Sequence, residues 1–230
     1  MWFYRRLYKG LRAFIKQYVD PNNRKLYAKI GTHSIVGINS HIVPQNMYVD
    51  DYCVIQDQVN FISYTGKLYV KKFSVISSGV AIIPASHRLT VGVPFFLSTL
   101  GHINDEEGDI FIDEDCWIGA GAILLPKCHI GRGSVVGAGS VVKKSIPPYA
   151  VVVGSPARII ATKFSIEQIL RHETILYPPE ERFTKEELER LFADNYKDMH
   201  TIGVDDLNEE EYNKLVDLRM NLGMNNYNEF

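Results

Sequence analysis

Branched apolar residues recur at every sixth position along the middle of the chain: Ile112, Ile118, Leu124, Ile130, Val136 and Val142. The same step runs upstream through Ile30, Val36 and Ile42, through Val49, Ile55 and Phe61, and through Val70, Ile76 and Ile82. Glycine follows the apolar residue at Gly31, Gly37, Gly119, Gly131 and Gly137, and a small residue sits four after it at Ser34, Ser40, Ala122, Ser134 and Ser140. A helix would space its apolar positions by three and four, and a half-buried strand would alternate throughout. A step of six fits one short strand and one corner instead, with the apolar side chain inward and glycine easing the bend. Three such sides close a triangular coil. Stacking then places Ile112 over Ile130, Ile118 over Val136 and Leu124 over Val142 in parallel register. One coil alone buries too little to be stable, so the stack is the folding unit. The period gives a parallel coil and not its hand.

The count breaks near Pro44 to Tyr48, near Ser63 to Leu68, over Arg88 to Asp109, and after Pro147-Pro148. The third break is long enough to leave the prism as a loop, and long excursions from rigid scaffolds carry function. Ahead of the repeat, residues 2–19 predict a helix with a stripe of Phe3, Leu7, Leu11, Phe14 and Tyr18 beside Arg5, Arg6, Lys9, Arg12 and Lys16. Such a helix either covers the open first coil or lies on an anionic membrane, and the cap is the first choice. After Arg158 the pattern turns helical. Ser165 to Gln168 and Thr184 to Glu187 read as capping boxes, and an acidic tail follows from Asp205. The expected organisation is a capping helix over 1–22, a β-helix over 28–160 with an excursion at 88–109, and a helical extension over 161–230.

Composition narrows the field. The 230 residues carry 25 Lys and Arg against 27 Asp and Glu, a net charge of −2 that gives no reason to expect nucleic acid as a partner. No apolar run approaches a membrane span, and the start, Met-Trp-Phe-Tyr-Arg-Arg, is unlike a signal peptide. Cys53, Cys116 and Cys128 show no paired spacing and read as reduced packing residues of a cytoplasmic protein.

The runs from Trp117 to Ile123, from Ile130 to Val142 and from Ile146 to Arg158 resemble the hexapeptide-repeat acyltransferases. They are most similar to the galactoside, maltose and Nod-factor O-acetyltransferases and to relatives in surface-polysaccharide synthesis. The resemblance covers roughly 30–160. It implies a left-handed β-helix, a homotrimer with active sites between subunits, and acetyl-CoA as co-substrate with no bound cofactor. It also implies an acetyl acceptor that is a small sugar or amino sugar.

His87 ends the segment Ile82-Ile-Pro-Ala-Ser-His, where these enzymes hold their catalytic histidine. A neutral imidazole can take the proton of a hydroxyl or amine as it attacks a thioester. Counting back one coil, Asp57 falls where the sugar acetyltransferases carry an asparagine, and Asn60 lies close by. Both are candidate acceptor ligands. Ala120 and Ala138 match the small residues whose backbone amides hold the pantetheine arm. Lys143, Lys144 and Arg158 fall where cations meet the adenosine phosphates, and Trp117 flanks the acyl end of the cleft. Among other residues of the excursion, His102 could line the acceptor pocket, and Glu106, Glu107 or Asp109 could orient His87.

The favoured reaction is direct acetyl transfer to a sugar hydroxyl in capsule or lipopolysaccharide synthesis. N-acetylation of a nucleotide-linked amino sugar is the runner-up. A zinc-bound carbonic anhydrase of the same architecture would need three suitably placed histidines, which the sequence does not offer. A non-catalytic β-helix scaffold subunit is the rival from another class.

Overall fold

The computed structural model describes residues 2–14, 23–63, 65–205 and 207–224. They form two compact units, Met1–Ile159 and Ile160–Phe230.

The first unit is a parallel β-helix with three walls. The first wall stacks Lys29–Ile30, Met47–Val49, Leu68–Val70, Ile110–Ile112 and His129–Ile130. The second stacks Ile35–Val36, Val54–Ile55, Val75–Ile76, Trp117–Ile118, Val135–Val136 and Ala150–Val153. The third stacks Asn60–Phe61, Ala81–Ile82, Ile123–Leu124 and Val141–Val142, with His41 bridging to Asn60 below them. The tiers pair as the six-residue step predicts: Ile112 with Ile130, Ile118 with Val136, Leu124 with Val142.

The inward positions make the core. Val49, Phe61, Val70, Ile76, Ile82, Ile112, Ile118, Leu124, Ile130, Val136 and Val142 are fully buried. Burying each such side chain contributes roughly 1.5–3 kcal/mol, so the stack rather than any single coil holds the fold. Cys53, Cys116 and Cys128 are free and buried in the prism, and burial pushes the Cys53 and Cys128 thiols up to about 12. The break at Pro44 is a short 3-10 turn, Pro44–Asn46.

The lowest coil is less closed, with Ile30 and Ile42 only half-buried. A helix, α1 (Trp2–Phe14), forms over the described part of the predicted 2–19. Its Leu7 and Leu11 stand 57% and 56% exposed, so these two members of the stripe do not cover that coil. Tyr18, the last of the predicted stripe, lies outside the described residues.

The excursion differs from the plain loop expected over 88–109. It is an ordered arm that already begins at a strand, Ala85–His87, which pairs antiparallel with Asp105–Glu107. Between these strands lies α2 (Phe95–Gly101), ended by His102 in the left-handed conformation. The arm returns to the prism through Gly108, whose N–H donates to Pro84 O at 2.9 Å, and Asp109, whose Oδ1 accepts from Lys67 N at 2.9 Å.

The second unit is helical. Its helices are α3 (Ile166–Leu176), α4 (Lys185–Asn195) and α5 (Glu209–Asn221). Both predicted capping boxes form, Ser165 with Gln168 and Thr184 with Glu187. Glu173 is buried on α3, and its Oε2 accepts the Phe183 N–H at 2.6 Å, tying α3 to the segment before α4. The tail residues Leu207, Leu218 and Met220 stay exposed.

Candidate active site

Antiparallel pairing in the arm sets His87 directly opposite Asp105. His87 Nδ1 lies 2.6 Å from Asp105 Oδ1, and His102 Nδ1 lies 3.0 Å from Asp105 Oδ2. One carboxylate therefore holds two imidazoles. The Asp105 side chain is only 13% exposed, against 35% for His87 and 49% for His102. The hydrogen bond to His87 keeps the Asp105 carboxyl below its ordinary range, against desolvation, and the bond to His102 adds to it. A carboxylate can only accept, so in neutral His87 the proton sits on Nδ1 and Nε2 presents its lone pair outward.

The orienting group is thus Asp105, not the acidic residues named from sequence. Glu106 Oε1 instead accepts from Lys127 Nζ at 2.7 Å, and Asp109 caps Lys67. Glu107 pairs across the arm with Ala85. His102, expected in an acceptor pocket, binds the shared carboxylate.

The remaining predicted residues fall elsewhere on the prism. Between the second and third walls, one corner stacks the segments 37–39, 56–58, 77–79, 119–121 and 137–139. Gly79 N–H donates to Asp57 O, Gly121 N–H to Ser78 O and Gly139 N–H to Ala120 O, which locks the column. Gly121 and Gly139 both have φ +68, with open space where a side chain would stand; the left-handed turn, taken lower down by Asn39 and Gln58, favours glycine there for its backbone and not for crowding.

Along this corner the central N–H groups fare differently by tier. Ile38 N donates to Asp57 Oδ1 at 2.8 Å and Ser78 N to Gln56 Oε1 at 3.0 Å. Higher up, glycine and alanine replace those side chains. Among the described residues the N–H groups of Ala120 and Ala138 meet no acceptor, and both alanines are exposed. Trp117 stands beside this edge on the second wall, 57% exposed, with Nε1 donating to Ser77 Oγ at 3.0 Å.

The two acceptor candidates separate. Asp57 sits at that corner and spends Oδ1 on Ile38. Asn60 lies on the outer face of the third wall, paired with Ala81 of the strand that leads towards the His87 arm. Lys143 and Lys144 follow the last strand of the third wall and are exposed. Ala157 N–H donates to Val141 O at 2.9 Å, which brings exposed Arg158 to the same end of the prism. These cations suit phosphate groups.

His87 and the Ala120–Ala138 edge are not neighbours within one chain. They occupy the two opposite edges of the third wall, the arm leaving after Ala81–Ile82 and the open amides preceding Ile123–Leu124 and Val141–Val142. Among the described residues no cluster of three His, Cys, Asp or Glu side chains could hold a metal ion.

Comparison with known proteins agrees with this architecture. Residues 109–144 match the family described as bacterial transferase hexapeptide (six repeats). A chloramphenicol acetyltransferase of Morganella morganii is 36% identical over 115 residues, covering 45% of this chain and 55% of its own. A probable macrolide acetyltransferase of Lysinibacillus sphaericus is 34% identical over 115 residues, covering 45% and 64%. The chain spans about half the length of most of the curated relatives it matches. Among solved structures, a hexapeptide-repeat acetyltransferase of Vibrio cholerae in complex with acetyl-coenzyme A is 25% identical with a TM-score of 0.59, covering 68% of this chain and 85% of that one. A galactoside acetyltransferase in complex with coenzyme A shares the fold at 20% identity and a TM-score of 0.56, covering 78% and 88%. Residues 109–144 thus match the hexapeptide repeat, and the first unit has the left-handed β-helix fold seen in hexapeptide-repeat acetyltransferases.

Proposed function

We propose that this protein is an acetyl-CoA-dependent acetyltransferase that acetylates a sugar hydroxyl by direct transfer, with His87 as general base. The observation that carries this reading is the 2.6 Å contact between His87 Nδ1 and Asp105 Oδ1. It fixes the ring and leaves Nε2 free for the acceptor. Nε2 takes the hydroxyl proton as the oxygen attacks the thioester carbonyl. The new carbon–oxygen bond forms, the carbon–sulfur bond breaks, and the proton passes to the departing CoA sulfur. Asp105 acts through His87 as a positioning residue, steadying the imidazolium between these two steps.

The open N–H groups of Ala120 and Ala138 suit the amide carbonyls of a pantetheine arm, and a backbone amide at such an edge also suits the thioester oxyanion. Lys143, Lys144 and Arg158 hold the phosphates, and Trp117 flanks the acyl end. Asn60 is the better-placed acceptor ligand, because it shares the wall that leads to His87, while Asp57 contributes from the amide edge. Because base and amides sit on opposite edges of the third wall, one copy's His87 works against the next copy's Ala120. A homotrimer closes such a head-to-tail arrangement. Three free, buried cysteines fit a reducing, cytoplasmic setting, and the acceptor fits capsule or lipopolysaccharide synthesis.

A thiol-release assay tests the reading. Acetyl-CoA is offered with a panel of sugars, nucleotide-linked amino sugars and chloramphenicol. Acceptor-dependent thiol release with a sugar, abolished by His87→Ala, is the expected result. Release only with an amino sugar moves the reaction to nitrogen, and release with none of the panel contradicts the proposal.

A further inference from the structure

We propose that α1 docks the protein on an anionic phospholipid surface. Residues 1–19 hold Arg5, Arg6, Lys9, Arg12 and Lys16, whereas all 27 acidic residues of the chain come later. The protein is therefore slightly acidic as a whole and strongly cationic at one end. By helical spacing Leu7 and Leu11 share one stripe of α1, with Arg5 on the opposite side. Leu7, Tyr8 and Leu11 are 57%, 65% and 56% exposed, so this part of the helix keeps its apolar residues in water. At 13 residues α1 is about 20 Å long, and no helix among the described residues is long and apolar enough to cross a membrane.

An apolar stripe, tyrosine at its margin and cations of a single sign are what a helix lying in the headgroup layer needs. The apolar side chains enter the acyl boundary and the long cationic stems keep their charges among the phosphates. Charge decides between partners. Two copies of α1 laid stripe to stripe would leave their outward cations without a counter-charge, whereas a layer of anionic headgroups supplies one. The exposed apolar residues of the arm, Phe96 and Leu100 on α2, carry no cationic frame and give no such indication. The inference stands apart from the acetyl-transfer reading.

Co-sedimentation of the full chain with phosphatidylcholine vesicles, with and without phosphatidylglycerol, tests it. The expected result is at least roughly tenfold stronger partition onto the phosphatidylglycerol vesicles, lost at high salt. Arg5→Glu with Arg6→Glu, and separately Leu7→Ser with Leu11→Ser, should each lower partition by roughly tenfold or more while leaving circular dichroism and the oligomeric state unchanged. No partition, or equal partition onto neutral vesicles, overturns the proposal. So does a change of oligomeric state in the charge-reversed chain without vesicle binding in the original, which would make α1 a protein contact. The comparison of the two vesicle types needs no variant, so it decides even if a substituted chain misfolds.

Discussion

The two edges of the third wall are built from the same repeat and have opposite characters. One edge loses its side chains as it climbs, from Asp57 and Gln56, which satisfy neighbouring N–H groups, to Ala120 and Ala138, which leave theirs open. The other edge grows an arm that carries His87, His102 and the carboxylate between them. The upper tiers of the bare edge, 77–79, 119–121 and 137–139, can bind but have no titratable group. The arm can move a proton but offers no row of amides. The repeat supplies a rigid ruler, and titratable side chains gather where it is interrupted.

The largest expected effect comes from the arm. His87→Ala should lower turnover by roughly 10²–10⁴-fold and leave CoA affinity, measured by calorimetry, unchanged. An equal loss of CoA affinity would merge the two edges into one function. Asp105→Asn keeps the shape but removes the charge that holds the ring. Losing a hydrogen bond to a charged group should slow turnover by roughly tenfold to a hundredfold, and the pH–rate profile should move with it. A merely structural Asp105 would lower the melting temperature without moving that profile. On the other edge, Ala120→Trp with Ala138→Trp covers the open N–H groups at exposed positions. The expected outcome is an acetyl-CoA KM raised by about fivefold to a hundredfold, with kcat less affected.

The prism was legible because its signal is local and repeated. Ile118 and Val136 lie eighteen residues apart, with the same glycine and small-residue neighbours, and they pair as that spacing predicts. Capping boxes at Ser165 and Thr184 were legible for the same reason, since each is complete within four residues. The arm was not. Asp105 meets His87 through an antiparallel register set across α2, and no local spacing announces it. In sequence, nothing local marks Asp105 out from the carboxylates that follow it. Its neighbours Glu106 and Asp109 are as acidic in sequence, but in the structure they accept from Lys127 Nζ and from the Lys67 N–H. The choice between Asp57 and Asn60 was closed to gapless counting as well, because the break after Ser63 shifts the tiers.

In the proposed reaction the arm of one copy works against the bare edge of another. Co-expression of His87→Ala chains with Ala120→Trp, Ala138→Trp chains, followed by purification of mixed oligomers through two tags, tests it at acetyl-CoA well below KM. The His87→Ala parent should be nearly inactive and the tryptophan parent slowed by its raised KM, and the mixed trimers should regain roughly a third of the unsubstituted rate, because one interface in three of a mixed ring joins an intact arm to an intact edge. Mixed oligomers no more active than their parents would show that each chain completes its own site, and the account would fail.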